Sequence, residues 1–444
     1  MHKLRQHQLD AFRYTLKERH PALFMEMRLG KCLVTIRRCK LYKPINPVIG
    51  LRGLIVCPNS AVGSWIEELS NEDEPPPCLL MGSRAKRLDM LMNTYDPWYI
   101  INKEGHLALP EIAKVDWDFV ILDESNFITN PRSLVSKFFL QNFRDVPHRW
   151  VLTGSPNPRG DLDFWPQLAF LDSQAFGFKT FWDFRAKKCI VQGFSWVTTS
   201  QTHKEIVQTV GKRCLIIRRK DYKLDLEKKH IVRELELPPD MRAQYEKVES
   251  SFELGNKTTI WATVQYQWLR AVCAGFLEEK LVWPGKITEL VTLLQTELKD
   301  EPVPIWFDYN KEIFAVAEAL LKENISHRIL TGLTPLLERE QKRKDWIAGK
   351  FQVLLIQQRI AQMGMNLSHA DTAIYFSEPS GPLASIQVED RILSLDKKTI
   401  LLYLHLIVKD SVESDMYQEL RARRFTSDLS LSRALQSRME SRYK

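Results

Sequence analysis

Short apolar runs alternate with segments of helical periodicity in two blocks of the chain. In the first block, residues 1–170, buried strands are predicted at 22–27 (ALFMEM), 53–57 (GLIVC) and 119–122 (FVIL). Helical patterns follow the first two of these runs, at KCLVTIRRCKLY and SWIEEL. The second block begins near residue 285 and has similar runs at 304–309, 353–358, 372–376 and 399–407. Short β-rich runs that alternate with helices predict parallel sheets with crossover helices.

Residues 173–280, between the blocks, show a different pattern of aromatic-rich, charged helical segments around one hairpin-like stretch. We therefore predict an α/β protein of two parallel-sheet lobes, with a mainly helical insert and a short β-hairpin between the blocks. Lobe 1 is predicted over 1–228, with the insert and hairpin at about 173–228. Lobe 2 is predicted over 229–444, with a helical protrusion at about 240–280 and a basic C-terminal helix at about 411–444.

Composition narrows the class of protein. The 444 residues suffice for about two to three domains, and 44% apolar and 27% charged residues exclude a mostly disordered chain. No apolar stretch approaches the ~18–20 residues that a membrane span needs, and the first residues lack the apolar core of a secretion signal. Seven scattered cysteines without a C-x-x-C pair favour a reducing compartment. We expect a cytoplasmic, monomeric protein without a membrane partner. The net charge of +8 is compatible with a polyanionic binding partner.

Gly30 and Lys31 stand where a predicted strand ends and a helix begins. Glycine at such a turn lets backbone N–H groups approach a phosphate, and the lysine neutralises phosphate oxygens at the helix N-terminus. The full G-x-x-x-x-G-K-[ST] pattern is not met, because Met25 replaces its first glycine and Cys32 replaces its hydroxyl residue. A thiol is a poor ligand for a hard cation such as Mg²⁺. These positions alone leave nucleotide binding open.

Asp123 and Glu124 directly follow the apolar run FVIL, at the carboxyl edge of the predicted sheet. Doubly wound sheets bind their ligands at this edge. One carboxylate can hold Mg²⁺ while the other orients the water that attacks a γ-phosphate. A solvent-exposed acidic turn is the alternative for the pair taken alone. Together with the upstream Gly30 and Lys31, the pair favours phosphate hydrolysis.

Further segments follow in a recognisable order. The first block contains LRQHQ (4–8), MRLGKC (27–32), VCPNSAVGSWIEEL (56–69), ILDES (121–125) and LTGSP (152–156). The second contains FDYN (307–310), LTGLTPLLERE (330–340), QMGMNLSHAD (362–371) and QVEDR (387–391). This series resembles the motifs of superfamily 2 helicases. Residues 215–248, WLRAVC (268–273) and PGKITELVTLL (284–294) make it similar to the Swi/Snf-type DNA-dependent ATPases in particular.

The resemblance implies two RecA-like lobes with ATP and Mg²⁺ in the cleft and a DNA strand lying across both. Asp123 would anchor the magnesium ion, Glu124 would be the general base, and Arg391 would lie near the γ-phosphate. Thr153, Gly154 and Ser155 would couple the cleft to the strand-binding face. Lys31, Asp123, Glu124 and Arg391 are thus the implied catalytic residues. The implied ATP-binding residues are Gln8, Gly30, Lys31, Cys32, Gly364, Gln387, Asp390 and Arg391.

The sequence departs from the family pattern at several of these positions. Arg28 replaces a glycine of the phosphate loop, and Asn126 replaces the histidine of the D-E-x-H motif. The last arginine of Q-x-x-D-R-x-x-R is Ser394. A transition-state arginine accelerates phosphoryl transfer by about 10³–10⁵-fold. Either Arg391 alone supplies that charge, or Lys397, Lys398 or Arg359 substitutes.

Strand contacts implied by the family fall on small polar residues and turns. They are Pro58, Asn59 and Ser60 in lobe 1 and Gly332, Asn366 and Ser368 in lobe 2. Such groups suit phosphates rather than base edges, so binding is expected to be largely independent of sequence. For Asn59 and Asn366 the alternative is a plain turn. Trp65 is expected in the core, because it lies on the apolar face of a predicted helix.

Residues 188–199 (KCIVQGFSWVTT) form two β-prone runs around Gly193 and Phe194. Glycine in the first position of a two-residue loop predicts a type II′ hairpin. Phe194 and Trp196 on such a hairpin are candidates for separating strands at a junction, because aromatic side chains stack on bases. The alternative is that both aromatic side chains pack against the helical insert.

These features lead to a hypothesis of an ATP-dependent DNA translocase that remodels or unwinds branched DNA by branch migration. Residues 187–206 are similar to the annealing-helicase subgroup. The compact chain also resembles the T5-like phage helicases that act on branched DNA, which implies recombination and repair in a bacterial host cytoplasm. One alternative is an RNA-directed helicase or polymerase-recycling motor. Another is a weakly hydrolysing nucleic-acid clamp, since Cys32, Asn126 and Ser394 erode the catalytic pattern.

Overall fold

The computed structural model describes residues 3–422 except 60, 193–194, 252, 255–256, 260 and 362–364. These residues form two compact units, here called lobe 1, which ends at Asp225, and lobe 2, which begins at Leu226. The boundary lies a few residues before the predicted one. Among the described residues, no helix is both long and apolar enough to cross a membrane.

Lobe 1 contains a seven-stranded sheet in the order β3-β4-β2-β5-β6-β1-β9, and all its neighbouring strands pair in parallel. Its central strands are buried along almost their whole length, as expected for a parallel sheet covered on both faces. A separate antiparallel hairpin is formed by β7 and β8. The strands are β1 Ala22–Met25, β2 Gly53–Cys57, β3 Cys78–Leu79, β4 Trp98–Asn102, β5 Phe119–Asp123, β6 His148–Thr153, β7 Cys189–Gln192, β8 Ser195–Thr198 and β9 Cys214–Ile217.

Helices connect these strands, so the apolar runs and helical patterns of the first block correspond to real elements. Their apolar faces pack on the sheet in a core that includes Leu54, Val120 and Phe139. The α-helices are α1 Gln6–Lys17, α2 Lys31–Cys39, α3 Val62–Asn71, α4 Arg84–Asn93, α5 Gly105–Ala108, α6 Leu134–Asn142, α7 Phe164–Leu171, α8 Phe181–Lys188 and α9 Ser200–Arg213. Short 3₁₀ turns cover Pro110–Lys114, Ser125–Ile128, Asp161–Asp163 and Arg219–Tyr222.

Lobe 2 contains a six-stranded sheet in the order β10-β19-β18-β15-β17-β16, again with parallel pairing. Alternate residues of its strands enter two different cores, with Ile305 on one face and Trp306 on the other. The strands are β10 Lys228–Leu235, β11 Glu253–Leu254, β12 Lys257–Thr258, β13 Phe276–Leu277, β14 Lys280–Leu281, β15 Val303–Phe307, β16 His327–Leu330, β17 Val353–Gln357, β18 Thr372–Tyr375 and β19 Leu401–Val408. The strands β11 to β14 form two small hairpins outside this sheet.

The helices of lobe 2 include a pair, α10 and α11, in the region of the predicted protrusion. This pair has its own small core around Tyr245 and Val272. A further helical stretch covers 412–422, and the rest of the predicted basic helix lies outside the described residues. The α-helices are α10 Pro239–Ser251, α11 Ala262–Cys273, α12 Gly285–Gln295, α13 Asn310–Lys322, α14 Leu336–Ile347, α15 Gln358–Ala361 and α16 Pro382–Glu389.

Candidate functional site

The sheet order of lobe 1 brings the carboxyl ends of β5, β6 and β1 side by side. Asp123 at the end of β5 pairs in register with Leu152 of β6, and Thr153 pairs with Phe24 of β1. The loops that leave these strands therefore emerge at one edge of the sheet. This is the edge at which the sequence predicts phosphate chemistry.

The loop between β1 and α2 has two residues in the left-handed region, Arg28 with φ 68° and Gly30 with φ 79°. Arg28 thus occupies a left-handed backbone conformation that favours glycine and that other residues adopt rarely. A Cβ atom added at Gly30 would lie 2.4 Å from Nε2 of Gln8, and the φ of 79° strains residues that carry a side chain, so this position favours glycine. Gln8 itself receives a hydrogen bond from the backbone N–H of Arg5 at 3.0 Å.

Lys31 is the first residue of α2, which directs its side chain back over the loop. Its ammonium group donates to the carbonyl oxygens of Met25, at 2.9 Å, and Glu26, at 3.5 Å. Burial strongly raises the pKa of the Cys32 thiol, and the nearby Asp123 carboxylate raises it further. Cys32 is therefore a neutral thiol at physiological pH rather than a charged ligand.

Asp123 is a buried carboxylate with 5% of its surface exposed. Its Oδ2 accepts a hydrogen bond from the indole N–H of Trp65 at 2.8 Å, and its Oδ1 accepts one from the backbone N–H of Glu124 at 2.9 Å. Burial, and then the charge of Glu124, raise the pKa of Asp123 from 3.8 to about 6, and Lys31 opposes that rise. The site thus holds a carboxylate whose charge is only partly compensated by the protein.

Glu124 has a left-handed backbone with φ 49°. Such a conformation costs about 1–3 kcal/mol in a non-glycine residue and is concentrated at functional sites. The hydroxyl of Thr153 donates to Oε2 of Glu124 at 3.3 Å, and the backbone N–H of Ser155 donates to that hydroxyl at 3.1 Å. A Cβ atom on Gly154 would come within 3.3 Å of the backbone nitrogen of Met27. The LTGSP loop thus contacts both the predicted base and the phosphate loop.

These residues fit a nucleotide with Mg²⁺. Gly30 leaves a cradle that a Cβ atom would fill, Lys31 supplies a cation, and Asp123 supplies the hard oxygen ligand that Mg²⁺ prefers. Magnesium is commonly held by one or two carboxylates, with substrate phosphates and water completing its coordination. Because the thiol of Cys32 is neutral and soft, it adds no ligand for this ion.

Lobe 2 places its predicted site residues around the end of α16. Gln387, Asp390 and Arg391 are all buried, with 9%, 3% and 2% of their surfaces exposed. The ammonium group of Lys228 bridges Oδ1 of Asp390, at 3.0 Å, and Oε1 of Glu389, at 2.8 Å. The carbonyl oxygen of Arg391 accepts a hydrogen bond from the backbone N–H of Leu367 at 3.0 Å. Gly364 lies outside the described residues.

A buried histidine pair lies beside this helix end. Nδ1 of His230 and Nε2 of His405 are 3.0 Å apart. His405 is also 2.6 Å from Glu378, and His230 is 3.7 Å from Glu389. Two buried imidazoles between two carboxylates therefore support the segment that carries Asp390 and Arg391. No sequence pattern indicated this arrangement, because its members come from two strands, the loop after β18 and a helix.

The candidates to replace the missing motif arginine differ in their environments. Lys397 forms an ion pair with Asp371 at 2.6 Å, so its charge is already used within lobe 2. Lys398 and Arg359 are exposed. The catalytic role of Arg391 or of a substitute cation stays a prediction from the sequence.

The predicted strand-contact residues occupy loops at strand ends in both lobes. Pro58 and Asn59 follow β2, and Gly332 follows β16 with its backbone N–H bonded to Gln357 at 3.1 Å. Oδ1 of Asn366 accepts a hydrogen bond from the backbone N–H of Ser368 at 3.1 Å, which is an Asx turn. The turn interpretation therefore accounts for the Asn366 side chain, and its role in binding stays a prediction. Ser60 lies outside the described residues.

The predicted hairpin is present as β7 and β8, with Val191 opposite Trp196. Trp196 is 37% exposed, and the Arg185 guanidinium of α8 lies 4.3 Å from its ring centroid. Trp196 therefore contacts the helical insert, as the packing alternative expects, and is also accessible to solvent. Phe194 lies outside the described residues, and the strand-separating role of both aromatic residues stays a prediction.

Three residues position the lobe 1 site through contacts that were not predicted from the sequence. Trp65 lies in the core as expected, yet its indole also fixes Asp123. Gln167 accepts a hydrogen bond from the Ser125 hydroxyl at 2.7 Å and donates one to the Pro156 carbonyl at 2.6 Å. Arg219 donates from its side chain to the carbonyl of Met27 at 3.1 Å. Arg219 is distant in sequence from the loop that it supports, so local patterns could not reveal its role.

Comparison with known proteins gives matches along most of the chain. A family model described as SNF2-related domain matches residues 6–270, and one described as Helicase conserved C-terminal domain matches residues 285–395. The ISWI chromatin-remodeling complex ATPase ISW1 of Saccharomyces cerevisiae is 22% identical over 88% of this chain and 37% of its own length. The human DNA excision repair protein ERCC-6 is 21% identical over 84% of this chain and 28% of its own length.

A putative SWI/SNF-related regulator of chromatin from Arabidopsis thaliana, subfamily A member 3-like 1, is 29% identical over 37% of this chain and 20% of its own length. The chain thus spans only about a fifth to just over a third of these relatives. Among solved structures, the Sulfolobus solfataricus SWI2/SNF2 ATPase core in complex with dsDNA matches with a TM-score of 0.46 at 20% identity. That match covers 96% of this chain and 92% of the other.

Proposed function

The chain belongs to the SNF2-related family, whose domain model matches residues 6–270, and on this premise we propose that it is an ATP-driven DNA translocase that remodels branched DNA. The observation that supports ATP hydrolysis most directly is the arrangement of Lys31, Asp123, Glu124 and Thr153 at one edge of the lobe 1 sheet. This set combines a phosphate-binding cation, a buried carboxylate and a second carboxylate in a strained backbone.

Each residue of the set has a distinct part in the proposed reaction. Lys31 and the backbone after Gly30 hold the β- and γ-phosphates. Bound at Asp123, Mg²⁺ would supply charge neutralisation on the phosphates. Glu124 orients the attacking water and takes its proton, and the Thr153 hydroxyl keeps the carboxylate in place. Arg391 supplies positive charge to the transition state in this proposal.

Hydrolysis is proposed to drive the movement of duplex DNA through alternate closing and opening of the lobes. The loops after β2 and β16 and the turn at Asn366 carry small and polar residues of the kind that contact phosphates. On this account binding depends on the DNA backbone, falls with added salt and has little sequence preference.

Action on branched DNA is the more specific part of the proposal. It is supported by the two-strand hairpin of lobe 1 with a partly exposed tryptophan at position 196. An aromatic side chain on a projecting hairpin can stack on a base at a junction, which is worth about 1–3 kcal/mol per base.

The test is ATP-dependent unwinding of a synthetic fork and branch migration of a four-way junction by the full chain. The wild type should convert both substrates, and Glu124→Gln should convert neither. Replacing Phe194 and Trp196 together by alanine should leave duplex-stimulated ATPase near the wild-type level while both conversions collapse. Unchanged conversion by the double variant would show that strands separate elsewhere, and failure of the wild type on both substrates would refute the branched-DNA assignment.

A further inference from the structure

Arginine and tryptophan side chains alternate on the surface of lobe 1 next to the hairpin. The guanidinium of Arg132 lies 4.9 Å from the ring centroid of Trp182, that of Arg185 lies 4.7 Å from the same ring, and Arg185 also lies 4.3 Å from Trp196. We call Arg132, Trp182, Arg185 and Trp196 the Arg–Trp ladder. Three separate segments contribute to it, namely the turn before α6, helix α8 and strand β8.

The local structure explains why the four side chains meet. Trp182 and Arg185 are three residues apart on α8, so they lie on the same face of the helix. Trp196 extends from β8 directly opposite Val191 of β7. The two rings stay accessible, because Trp182 is 43% exposed and Trp196 is 37% exposed.

The charges of the ladder are not neutralised by the protein. Within the described part of the chain, neither Arg132 nor Arg185 has a carboxylate at ion-pair distance, and the buried Nε of Arg185 has no hydrogen-bond acceptor. The carboxylate of Asp183, one residue after Trp182, accepts a hydrogen bond from the Thr180 hydroxyl at 2.8 Å instead. Two cations that are stacked on exposed indoles and lack anionic partners form a surface complementary to an anionic, aromatic ligand.

An unpaired nucleic-acid strand has this chemistry, because each nucleotide combines a phosphate with a flat base. A guanidinium over an indole uses its face for that contact and keeps in-plane N–H groups for a phosphate. The free area of each ring can stack on a base without regard to base identity. An acidic peptide offers the charge but not a repeating aromatic face, so it fits the ladder less well.

We propose that the Arg–Trp ladder binds the single strand of DNA that is displaced when the hairpin opens a junction. The inference deepens the proposed function and rests on it. It adds Arg132, Trp182 and Arg185 to the hairpin as a single-strand binding site. A held strand cannot re-pair with its former partner, so strand separation by the motor would become directional.

The test measures binding of fluorescent oligo(dT) of about 20 nucleotides, longer than one typical strand-binding site, to the full chain by anisotropy over a range of salt concentrations. Arg185→Gln, Trp182→Leu and Trp196→Leu should each weaken binding by roughly tenfold or more. Arg185→Gln should also reduce the slope of log K against log salt by about 0.7, the value for one lost phosphate contact on a single strand. The tryptophan variants should leave that slope unchanged.

Lys187→Gln is the matched control, because Lys187 is an exposed cation on the same helix that contacts neither tryptophan. It should weaken oligo(dT) binding by less than about twofold. Ladder variants that bind oligo(dT) no more weakly than this control would overturn the proposal. If a tryptophan variant melts at a lower temperature, Arg185→Gln decides the outcome, because it removes charge without removing an apolar side chain.

Two further arms separate this inference from the function on which it rests. Duplex-stimulated ATPase should be unchanged in all ladder variants, whereas its absence in the wild type would refute the proposed translocase whatever the oligo(dT) result. Oligo(U) of the same length is the second probe. Ladder variants that lose oligo(U) binding but keep oligo(dT) binding would show an RNA site and overturn the assignment to DNA.

Discussion

Replacing Asp123 by asparagine is expected to inactivate the protein and to make it progressively more stable, relative to wild type, as the pH rises. Asp123 is buried, and its pKa is raised from 3.8 to about 6 in the folded state. The folded protein therefore retains this proton at pH values where the unfolded chain has lost it. The stability associated with the protonated group is fully present below pH 3.8 and is lost as the pH rises through about 6.

The size of the effect follows from the shift of about two pKa units. Each unit corresponds to about 1.4 kcal/mol, so the full loss in the wild type is about 3 kcal/mol. Roughly 2 kcal/mol of it falls between pH ~4.5 and ~8. Asparagine cannot ionise and does not show this loss. Its single side-chain oxygen can accept from only one of the two donors, the Trp65 indole N–H or the Glu124 backbone N–H. The lost hydrogen bond lowers the free energy of unfolding by about 1–3 kcal/mol. This loss is the same at both pH values.

The assay is urea unfolding of the wild type and Asp123→Asn at pH ~4.5 and ~8, following the transition of lobe 1. The difference in unfolding free energy between the two proteins should change by roughly 2 kcal/mol in favour of the variant at the higher pH. Trp65→Phe is the companion variant. It removes the N–H donor that favours the charged carboxylate, so the pH dependence should move to higher pH. A difference between wild type and Asp123→Asn that is equal at both pH values would refute the argument.

Three other substitutions test the proposed chemistry of the nucleotide site. Glu124→Gln should abolish ATP hydrolysis but retain ATP binding, since only water activation is lost. Hydrolysis at the wild-type rate would remove Glu124 as the base. Cys32→Thr should keep or raise ATPase activity, because it restores a hard oxygen ligand, and a complete loss would assign the thiol a function. Arg391→Ala should lower kcat by roughly 10³-fold if it is the sole catalytic arginine. A loss below tenfold, with unchanged melting, would direct attention to Lys398 and Arg359.

The architecture of both lobes could be predicted from the sequence because local patterns of apolar and polar residues determine its strands and helices. Buried parallel strands give nearly continuous apolar runs such as GLIVC, and the helical periodicity between them fixes the crossover connections. Asp123 and Lys31 could be located for the same reason, since one ends an apolar run and the other begins a helix. The order of the motifs along the chain then led to the family.

The parts of the site that escaped prediction depend on contacts between residues that are far apart in sequence. The Trp65 indole reaches Asp123, and Arg219 reaches the carbonyl of Met27, across intervals of 58 and 192 residues. The contact of Lys228 with Asp390 spans 162 residues. The raised pKa of Asp123 arises from burial, which a motif does not encode. The exposed faces of Trp182 and Trp196 likewise became visible only in the structure.

We propose above that DNA drives the ATPase of this chain. Steady-state ATP hydrolysis should be compared without nucleic acid and with single-stranded DNA, duplex, fork, four-way junction and RNA. We expect low activity without nucleic acid, strong stimulation by duplex and branched DNA, and little stimulation by RNA. Stimulation by RNA alone would assign the motor to RNA, and binding to DNA with no hydrolysis on any substrate would identify a clamp instead of a translocase.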